Sequence, residues 1–247
     1  MQFDSGLLQH QVMDHTKTYM ITGANRGIGL GFTRHYLQQG HRIIATHRND
    51  SKELMALQTE FPSHLILITM DVLLAASIQQ AFTNITSAVT HIDVLINNAG
   101  RYGSDQATIT KKLDIEDMAI TFRTNSLAPL LITQYALPLL QKGNDKKVIH
   151  VSSKMGSITD NTSGGAYGYR ASKSALNAIN KSLSVELAKE NITSIVMHPG
   201  WVQTDMGGKN AAITTDEAIQ DLTQTIDRFT IEHTGGFFER TGETIPW

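Results

Sequence analysis

The sequence predicts a single α/β domain built on a doubly wound parallel sheet. Three features carry that expectation: short apolar runs alternate with longer amphipathic ones, a glycine-rich turn follows the first apolar run, and no composition break or internal repeat divides the chain. Alternation of this kind makes successive βαβ units, whose crossover helices cover both faces of the sheet. The length of 247 residues fits one such domain, since α/β folds commonly run to roughly 200 to 250 residues undivided.

The elements follow in order. Residues 1 to 16 are read as a loose N-terminal arm and residues 17 to 247 as the domain. The first strand is TYMITGA, followed by a helix from about Ile28 to Gln39, a strand RIIAT, a helix near 51 to 60, and a strand LILITMDV. A helix near 75 to 89 precedes the strand IDVLINNAG, and a long helix from about 114 to 141 precedes KKVIHVSS. A helix from about 169 to 189 then precedes ITSIVMHPG. Runs such as LILIT and DVLIN are apolar throughout, as strands buried on both faces require. The stretch from 203 to 220, QTDMGGKNAAITTDEAIQ, is less regular and is expected to be an excursion over the site.

Composition narrows the function classes. The chain is 40% hydrophobic and 18% charged, with 21 basic and 23 acidic residues giving a formal net charge of -2. No electrostatic surplus recruits nucleic acid or an anionic membrane. The chain has no cysteine, which removes disulfides, thiolate nucleophiles and cysteine-ligated zinc and fits a reducing compartment. The N-terminal segment lacks a cationic start followed by an apolar stretch, and no apolar run approaches the ~18 residues of a membrane span. An unprocessed, soluble, cytoplasmic chain is expected. No His-Glu-x-x-His, Gly-x-Ser-x-Gly or Ser-x-x-Lys pattern occurs, and the 10 histidines are scattered, so no metal site is expected.

The first chemistry-bearing feature is TGANRGIG, residues 22 to 29, between the first strand and the first helix. Gly23 allows a sharp turn, Gly27 allows close approach to a pyrophosphate, and Gly29 lets the helix pack on the strand. With Asn25, Arg26 and Ile28 the loop frames a helix N-terminus whose free amides and partial positive charge suit phosphates. At the end of the second strand an acid would bind the ribose 2′-hydroxyl of NAD. Here the residues are Ala45, Thr46, His47 and Arg48. Arg48, with Arg26 nearby and no carboxylate among these four, favours NADP(H) over NAD(H).

Residues 164 to 176, GGAYGYRASKSAL, offer two tyrosines and a lysine. At about 100° per residue Tyr169 and Lys173 lie on nearly one helix face, whereas Tyr167 lies about 120° from Lys173. An ammonium beside a phenol favours the phenolate, so Lys173 is expected to lower the Tyr169 pKa and fit it for general acid/base work.

Taken together, TGANRGIG, NNAG at 97 to 100, Asn125, SSKMG at 152 to 156, YRASK at 169 to 173 and PGWVQTDM at 199 to 206 resemble the short-chain dehydrogenases/reductases. The resemblance covers residues 17 to 247, and six motifs match in order and spacing. Within the family the chain looks most like the C-factor and sniffer-type carbonyl reductase branch. The resemblance implies a Rossmann fold and a catalytic tetrad of Asn125, Ser153, Tyr169 and Lys173. It implies that Tyr169 passes a proton to the carbonyl oxygen and that Ser153 hydrogen-bonds that oxygen. Lys173 would bind the nicotinamide ribose, and Asn125 would help hold a water that links the lysine to solvent. Ser152 is expected to face the sheet.

For the cofactor, Asp71 and Val72 resemble the pair that contacts adenine, and Asn98, Ala99 and Gly100 the turn beside the adenine ribose. Pro199, Gly200, Val202 and Thr204 resemble the stretch that holds the carboxamide. The expected activity is NADPH-dependent reduction of a carbonyl, or oxidation of the matching alcohol, on a small-molecule substrate. The family resemblance also implies a homodimer or homotetramer. The spacing from Ser153 to Tyr169 is 16 positions, longer than the commoner 13 of the family, with the extra residues in Asp160 to Gly165. The substrate pocket is expected from the 203 to 220 stretch and the 101 to 112 loop, which leaves the substrate unnamed. Tyr167, Trp201, Trp247 and the IPW ending are read as core packing in preference to a pocket border. The alternative function is a cofactor-binding signalling or regulatory protein of the C-factor type, with incidental turnover.

Overall fold

The computed structural model describes residues 16–104, 108–110 and 113–247. The proposed arm, apart from residue 16, and parts of the 101 to 112 loop lie outside these. The chain runs β1 (Thr18–Thr22), α1 (Gly27–Gln38), β2 (Arg42–His47), α2 (Lys52–Glu60), β3 (Leu65–Thr69), α3 (Ala75–Ala88) and β4 (Val94–Asn97). It continues through α4 (Ile115–Phe122), α5 (Ala128–Leu140), β5 (Lys147–Val151), α6 (Tyr167–Leu187), β6 (Thr193–His198), α7 (Thr215–Arg228) and β7 (Phe237–Glu239). The strands form one seven-stranded sheet in the order β3-β2-β1-β4-β5-β6-β7, parallel throughout.

That order means the chain builds outward from β1, then returns to lay β4 on the other side of β1. The crevice between the C-terminal ends of β1 and β4 is the switch point where such sheets bind ligands. Both faces are buried. On one, Phe32, Tyr36 and Leu37 of α1 and Ile219, Leu222 and Ile226 of α7 pack on Ile21, Ile96 and Ile149 of the strands. On the other, Ile78, Phe82 and Ile85 of α3, Ile132 and Leu139 of α5, and Leu187 of α6 pack on Met20, Ile44 and Leu95. The doubly wound expectation is met.

Several boundaries differ from the sequence reading. The long helix expected over 114 to 141 is interrupted at Arg123–Leu127 by a turn of π-helix, which joins α4 to α5. Such a bulge shifts the hydrogen-bond ladder by one residue and is often found at functional sites; here it carries Asn125. The helix expected from 169 begins two residues earlier, at Tyr167. The 203 to 220 excursion is shorter than expected, because Thr214 caps α7 with a reciprocal Thr214–Glu217 box and residues 215 to 220 are already helical.

The aromatic residues read as core are a further correction. Tyr167, Trp201 and Trp247 are 38%, 57% and 44% exposed. Each has a local reason. Tyr167 opens α6 on its outer side, and Trp201 donates its indole N–H to the Gly207 carbonyl at 2.8 Å across a surface turn. The Trp247 ring lies on Phe237 at 5.6 Å, and its carbonyl accepts from Thr159 N at 2.9 Å. Of the IPW ending only Ile245 is buried. Among the described residues no helix is long and apolar enough to cross a membrane. None of them form a group of three or more His, Cys, Asp or Glu able to hold a metal ion.

Candidate active site

The crevice between β1 and β4 opens into a cleft of about 1000 Å³. Its floor is the glycine loop. Gly23 and Gly27 have φ of +64° and +51°, left-handed values that glycine adopts without strain. A Cβ on Gly29 would lie 2.2 Å from the Gly23 carbonyl oxygen, so only hydrogen fits where α1 crosses the end of β1. No side chain caps α1 and no acid stands in its first turn, so its N-terminal amides and partial positive charge are left for an anion.

A second turn supports the loop from β4. Asn98 Nδ2 donates to the carbonyls of Thr22 at 2.8 Å and Gly23 at 3.2 Å. In return Thr22 Oγ1 accepts from the amides of Asn98 and Ala99, both at 3.0 Å. Asn25 Nδ2 reaches the Asn49 carbonyl at 3.1 Å and joins the loop to the end of β2. Sequence reasoning missed Thr22; its place at the last position of a strand feeding the glycine turn is the only signal for it.

Most residues assigned to cofactor binding line this cleft: Gly23, Asn25, Arg26, Gly27, Ile28, Arg48, Asp71, Val72, Asn98, Ala99, Gly100, Tyr169, Lys173, Pro199 and Thr204. Gly29, Gly200 and Val202 do not. Gly200, at φ +88°, backs onto Ile213, whose Cδ1 would sit 2.8 Å from a Cβ there. Val202 is buried and bridges to Ile213. Both shape the wall from behind.

The ribose corner differs from the sequence reading in one respect. Arg48 is exposed at the rim as expected. Besides Asp71, two further carboxylates nevertheless line the same cleft, Asp50 and Asp205. Asp50 Oδ1 lies 3.4 Å from His47 Nδ1, and Asp205 Oδ2 lies 2.9 Å from Arg26 Nη1. The Arg26 charge is therefore shared with a carboxylate from the far side of the cleft.

At the inner end the cleft is lined by Tyr169, Lys173 and Ser152, and Ser153, outside the lining itself, is hydrogen-bonded to Tyr169. Tyr169 is 8% exposed, against 38% for Tyr167, so the helix aims the first into the cleft and the second out of it. Ser152 Oγ donates to Asn177 Oδ1 at 2.7 Å, which leaves Ser153 as the serine beside Tyr169. Burial pushes the Tyr169 phenol up to about 12; its hydrogen bond with Ser153 pulls it down, and the neighbouring Tyr102 pushes it up. The expected lowering by Lys173 is thus not found in this cleft: burial raises the phenol, and it is Ser153 that pulls it down. Lys173 is itself buried, which lowers its pKa to about 8, and its ammonium donates to the Val151 carbonyl at 2.8 Å. Lys173 Nζ stands 5.8 Å from the centre of the Tyr169 ring.

Asn125 completes the group from the π turn. Its side-chain amide donates to the Arg101 carbonyl at 2.8 Å and to Ser172 Oγ at 2.9 Å, and its oxygen accepts from the Arg101 amide at 2.9 Å. A Cβ on Gly100 would lie 3.2 Å from Asn125 Oδ1 and 3.7 Å from Lys173 Nζ. Gly100 therefore leaves room beside both side chains. Sequence reasoning missed Tyr102, whose ring lies 4.6 Å from that of Tyr169. It missed Asp117 as well, which pairs with Arg101. No motif marks either.

The arrangement can hold a dinucleotide along the strand ends and present a buried, protonated phenol at its inner end. The sequence profile described as short chain dehydrogenase matches residues 17–215. The C-signal protein of Myxococcus xanthus is 46% identical over 156 residues, 63% of this chain and 93% of its own. Short-chain dehydrogenase RED3 of Pyricularia oryzae is 31% identical over 95% of this chain and 100% of its own. Among solved structures, the carbonyl reductase Sniffer of D. melanogaster superposes with a TM-score of 0.89 at 34% identity, covering 94% of this chain and 100% of that one. The NADPH-bound carbonyl reductase from chicken fatty liver gives 0.87 at 32% identity, covering 94% and 99%.

Proposed function

The chain belongs to the short-chain dehydrogenase family, and from that premise we propose an NADPH-dependent carbonyl reductase in which Tyr169 is the proton donor. The observation that carries this reading is the buried Tyr169, hydrogen-bonded to Ser153, at the inner end of a cleft floored by the glycine loop. The cleft fits a dinucleotide: the uncapped start of α1 suits the phosphates, and Asp71 and Val72 suit the adenine. Arg48 and Arg26 would take a 2′-phosphate, and Lys173 the nicotinamide ribose. The bound cofactor would supply hydride to the carbonyl carbon.

This chain's residues do the rest. A phenol pushed up to about 12 stays protonated at neutral pH, the form required to give a proton to the carbonyl oxygen. Ser153 would hydrogen-bond that oxygen and hold it against Tyr169. Lys173, with its pKa lowered to about 8, remains largely cationic at pH 7 and would stabilise the phenolate left behind. Asn125 fixes the Arg101 backbone beside this centre. A cytoplasmic setting is supported by the lack of cysteine, and a homodimer or homotetramer by family resemblance alone.

The test is a pair of variants assayed for NADPH consumption across aldehydes, ketones and quinones. Tyr169→Phe loses turnover by at least a hundredfold, within the roughly 10² to 10⁴ of general acid catalysis, and keeps NADPH binding. Tyr167→Phe stays near wild type. Equal losses in both would point to the wrong tyrosine. The second reading, a cofactor-binding signalling protein, draws on the likeness to the C-signal protein. A chain in which Tyr169→Phe kept its biological effect while losing turnover would favour it.

A further inference from the structure

Residues 101 to 104, RYGS, follow the NNAG turn and are held by contacts that the proposed reaction does not explain. Both backbone groups of Arg101 are taken by Asn125, at 2.9 Å and 2.8 Å. The Arg101 guanidinium pairs with Asp117 Oδ1 on α4, and the Ser104 amide donates to Asp117 Oδ2 at 2.7 Å. Between them Gly103 adopts φ +81°, and a Cβ there would lie 2.6 Å from Thr121 Oγ1 and 2.7 Å from Asp117 Oδ2. The segment is thus held at one end by Asn125 and at both ends by Asp117, and is pressed against α4 in the middle.

The side chain this clamp delivers is Tyr102. Its ring meets that of Tyr169 with centroids 4.6 Å apart and planes inclined at 34°, inside the range of favourable aromatic contact. We propose that Tyr102 is a positioning residue for Tyr169: its ring braces one face of the phenol, and the Arg101–Asp117 clamp holds the brace in place. This rests on the reading of Tyr169 as proton donor.

The physical case is one of freedom removed. A tyrosine hydroxyl sits at the end of a lever with two rotatable bonds, so a small tilt at Cα moves the oxygen far. Tyr169 is carried by the first turns of α6, next to the left-handed Ala166 (φ +45°) and after the inserted 160 to 165 loop. Lys173 approaches the ring only to 5.8 Å. A second ring in contact removes the tilt and keeps the hydroxyl on Ser153. Displacement of a reacting group by 1 Å costs on the order of a hundredfold in rate.

The experiment measures kcat, KM and NADPH affinity for Tyr102→Ala, Tyr102→Phe and Asp117→Asn. Tyr102→Ala is expected to lower kcat by about ten- to a hundredfold, with KM and NADPH affinity within twofold of wild type. Tyr102→Phe, which keeps the ring, recovers most of that loss. Asp117→Asn loosens the clamp and gives an intermediate kcat. The double variant Tyr102→Ala/Asp117→Asn is no slower than Tyr102→Ala, because both changes remove one brace. Should Tyr102→Ala fail to fold, Tyr102→Leu, with bulk but no aromatic face, is read the same way.

Wild-type kcat in Tyr102→Ala would overturn the proposal. A loss confined to KM would overturn it as well and make Tyr102 a substrate contact, and a loss as large in Tyr102→Phe would assign the effect to the hydroxyl. Failure of the premise is read separately, with Tyr102 intact, as retained turnover in Tyr169→Phe.

Discussion

Lys173 is charged, buried and tied to the Val151 carbonyl, and its place in the cleft costs stability that its role explains. Burial lowers its pKa from 10.5 to about 8. The unfolded chain therefore binds this proton more tightly than the folded one, and stability rises with pH between those values. At about 1.4 kcal/mol per pH unit the gain comes to about 3 kcal/mol. Urea unfolding from pH 8 to 10.5 reads it as the difference between wild type and Lys173→Met, and parallel curves would mean a hydrated lysine. On the proposed reading Arg48, at the other end of the cleft, would make a charge-assisted contact to a 2′-phosphate, roughly 1.5 to 3 kcal/mol or ten- to a hundredfold in affinity. Arg48→Asp is expected to weaken NADPH by that factor and to leave NADH unchanged or tighter. Calorimetric titration with both cofactors decides, and tighter NADH binding by the wild type would refute the preference. The sequence showed Arg26 but not the carboxylate that faces it, because Asp205 comes to Arg26 from 179 residues away.

Elements were legible where local pattern and tertiary demand agree. The runs TYMIT and VLIN are the buried strands β1 and β4, since a strand covered on both faces has no reason to alternate; LILIT is the edge strand β3, buried only at Leu65 and Ile68. The π turn at Arg123–Leu127 was not legible, because it arises where α4 and α5 must meet α6 and leaves no mark in composition. Helix α7 was legible and was passed over: Thr214 to Glu217 spell a capping box before an amphipathic run, masked by the glycine pair just upstream. That leaves 203 to 214 as the excursion. Gly207 is pinned, since a Cβ there would sit 2.0 Å from the Val202 carbonyl oxygen, whereas Gly208, at φ +77°, has nothing within 4 Å. Gly208 is thus the freer hinge. Thr204 packs on the glycine loop, with Cγ2 3.2 Å from a Cβ on Gly27, so a cofactor seated there meets this segment directly. Hydrogen exchange over 203 to 214 is expected to slow on NADPH binding, while 215 to 228 changes little. Equal exchange with and without NADPH would show that the segment does not close over the cofactor.

At the scale of the whole molecule, the sheet order places every motif at one end of the strands. The glycine loop was readable because it follows the end of β1, whereas the four residues assigned to the tetrad came from the family resemblance: Ser153 follows β5, Asn125 lies in the π turn, and Tyr169 and Lys173 lie on α6. What spacing could not supply was the electrostatic setting, in which burial dominates. The same burial reaches histidines that the sequence left unassigned: it lowers His35, and His150 and His198 further. His150, in the middle of β5, is fully buried, with Nε2 lacking a hydrogen-bond partner among the described residues. Burial, and then the Lys173 charge, lower its pKa to about 3. His198, at the end of β6, is lowered to about 4 by burial, then by Lys154 and Arg240. Both are below the 6.5 of a free imidazole. The unfolded chain takes up these protons first, so stability is intact above pH 6.5 and falls as pH drops toward the folded values. Between pH 6 and 5 the pair contributes a slope of about 2 kcal/mol per pH unit. That window lies above the ordinary carboxylate range; burial raises Glu239 toward it, so a Glu239→Gln background reads the histidines apart from the acids. Urea unfolding at half-unit steps from pH 7 to 5 measures the slope, and a free energy independent of pH over that range would mean that water reaches both rings.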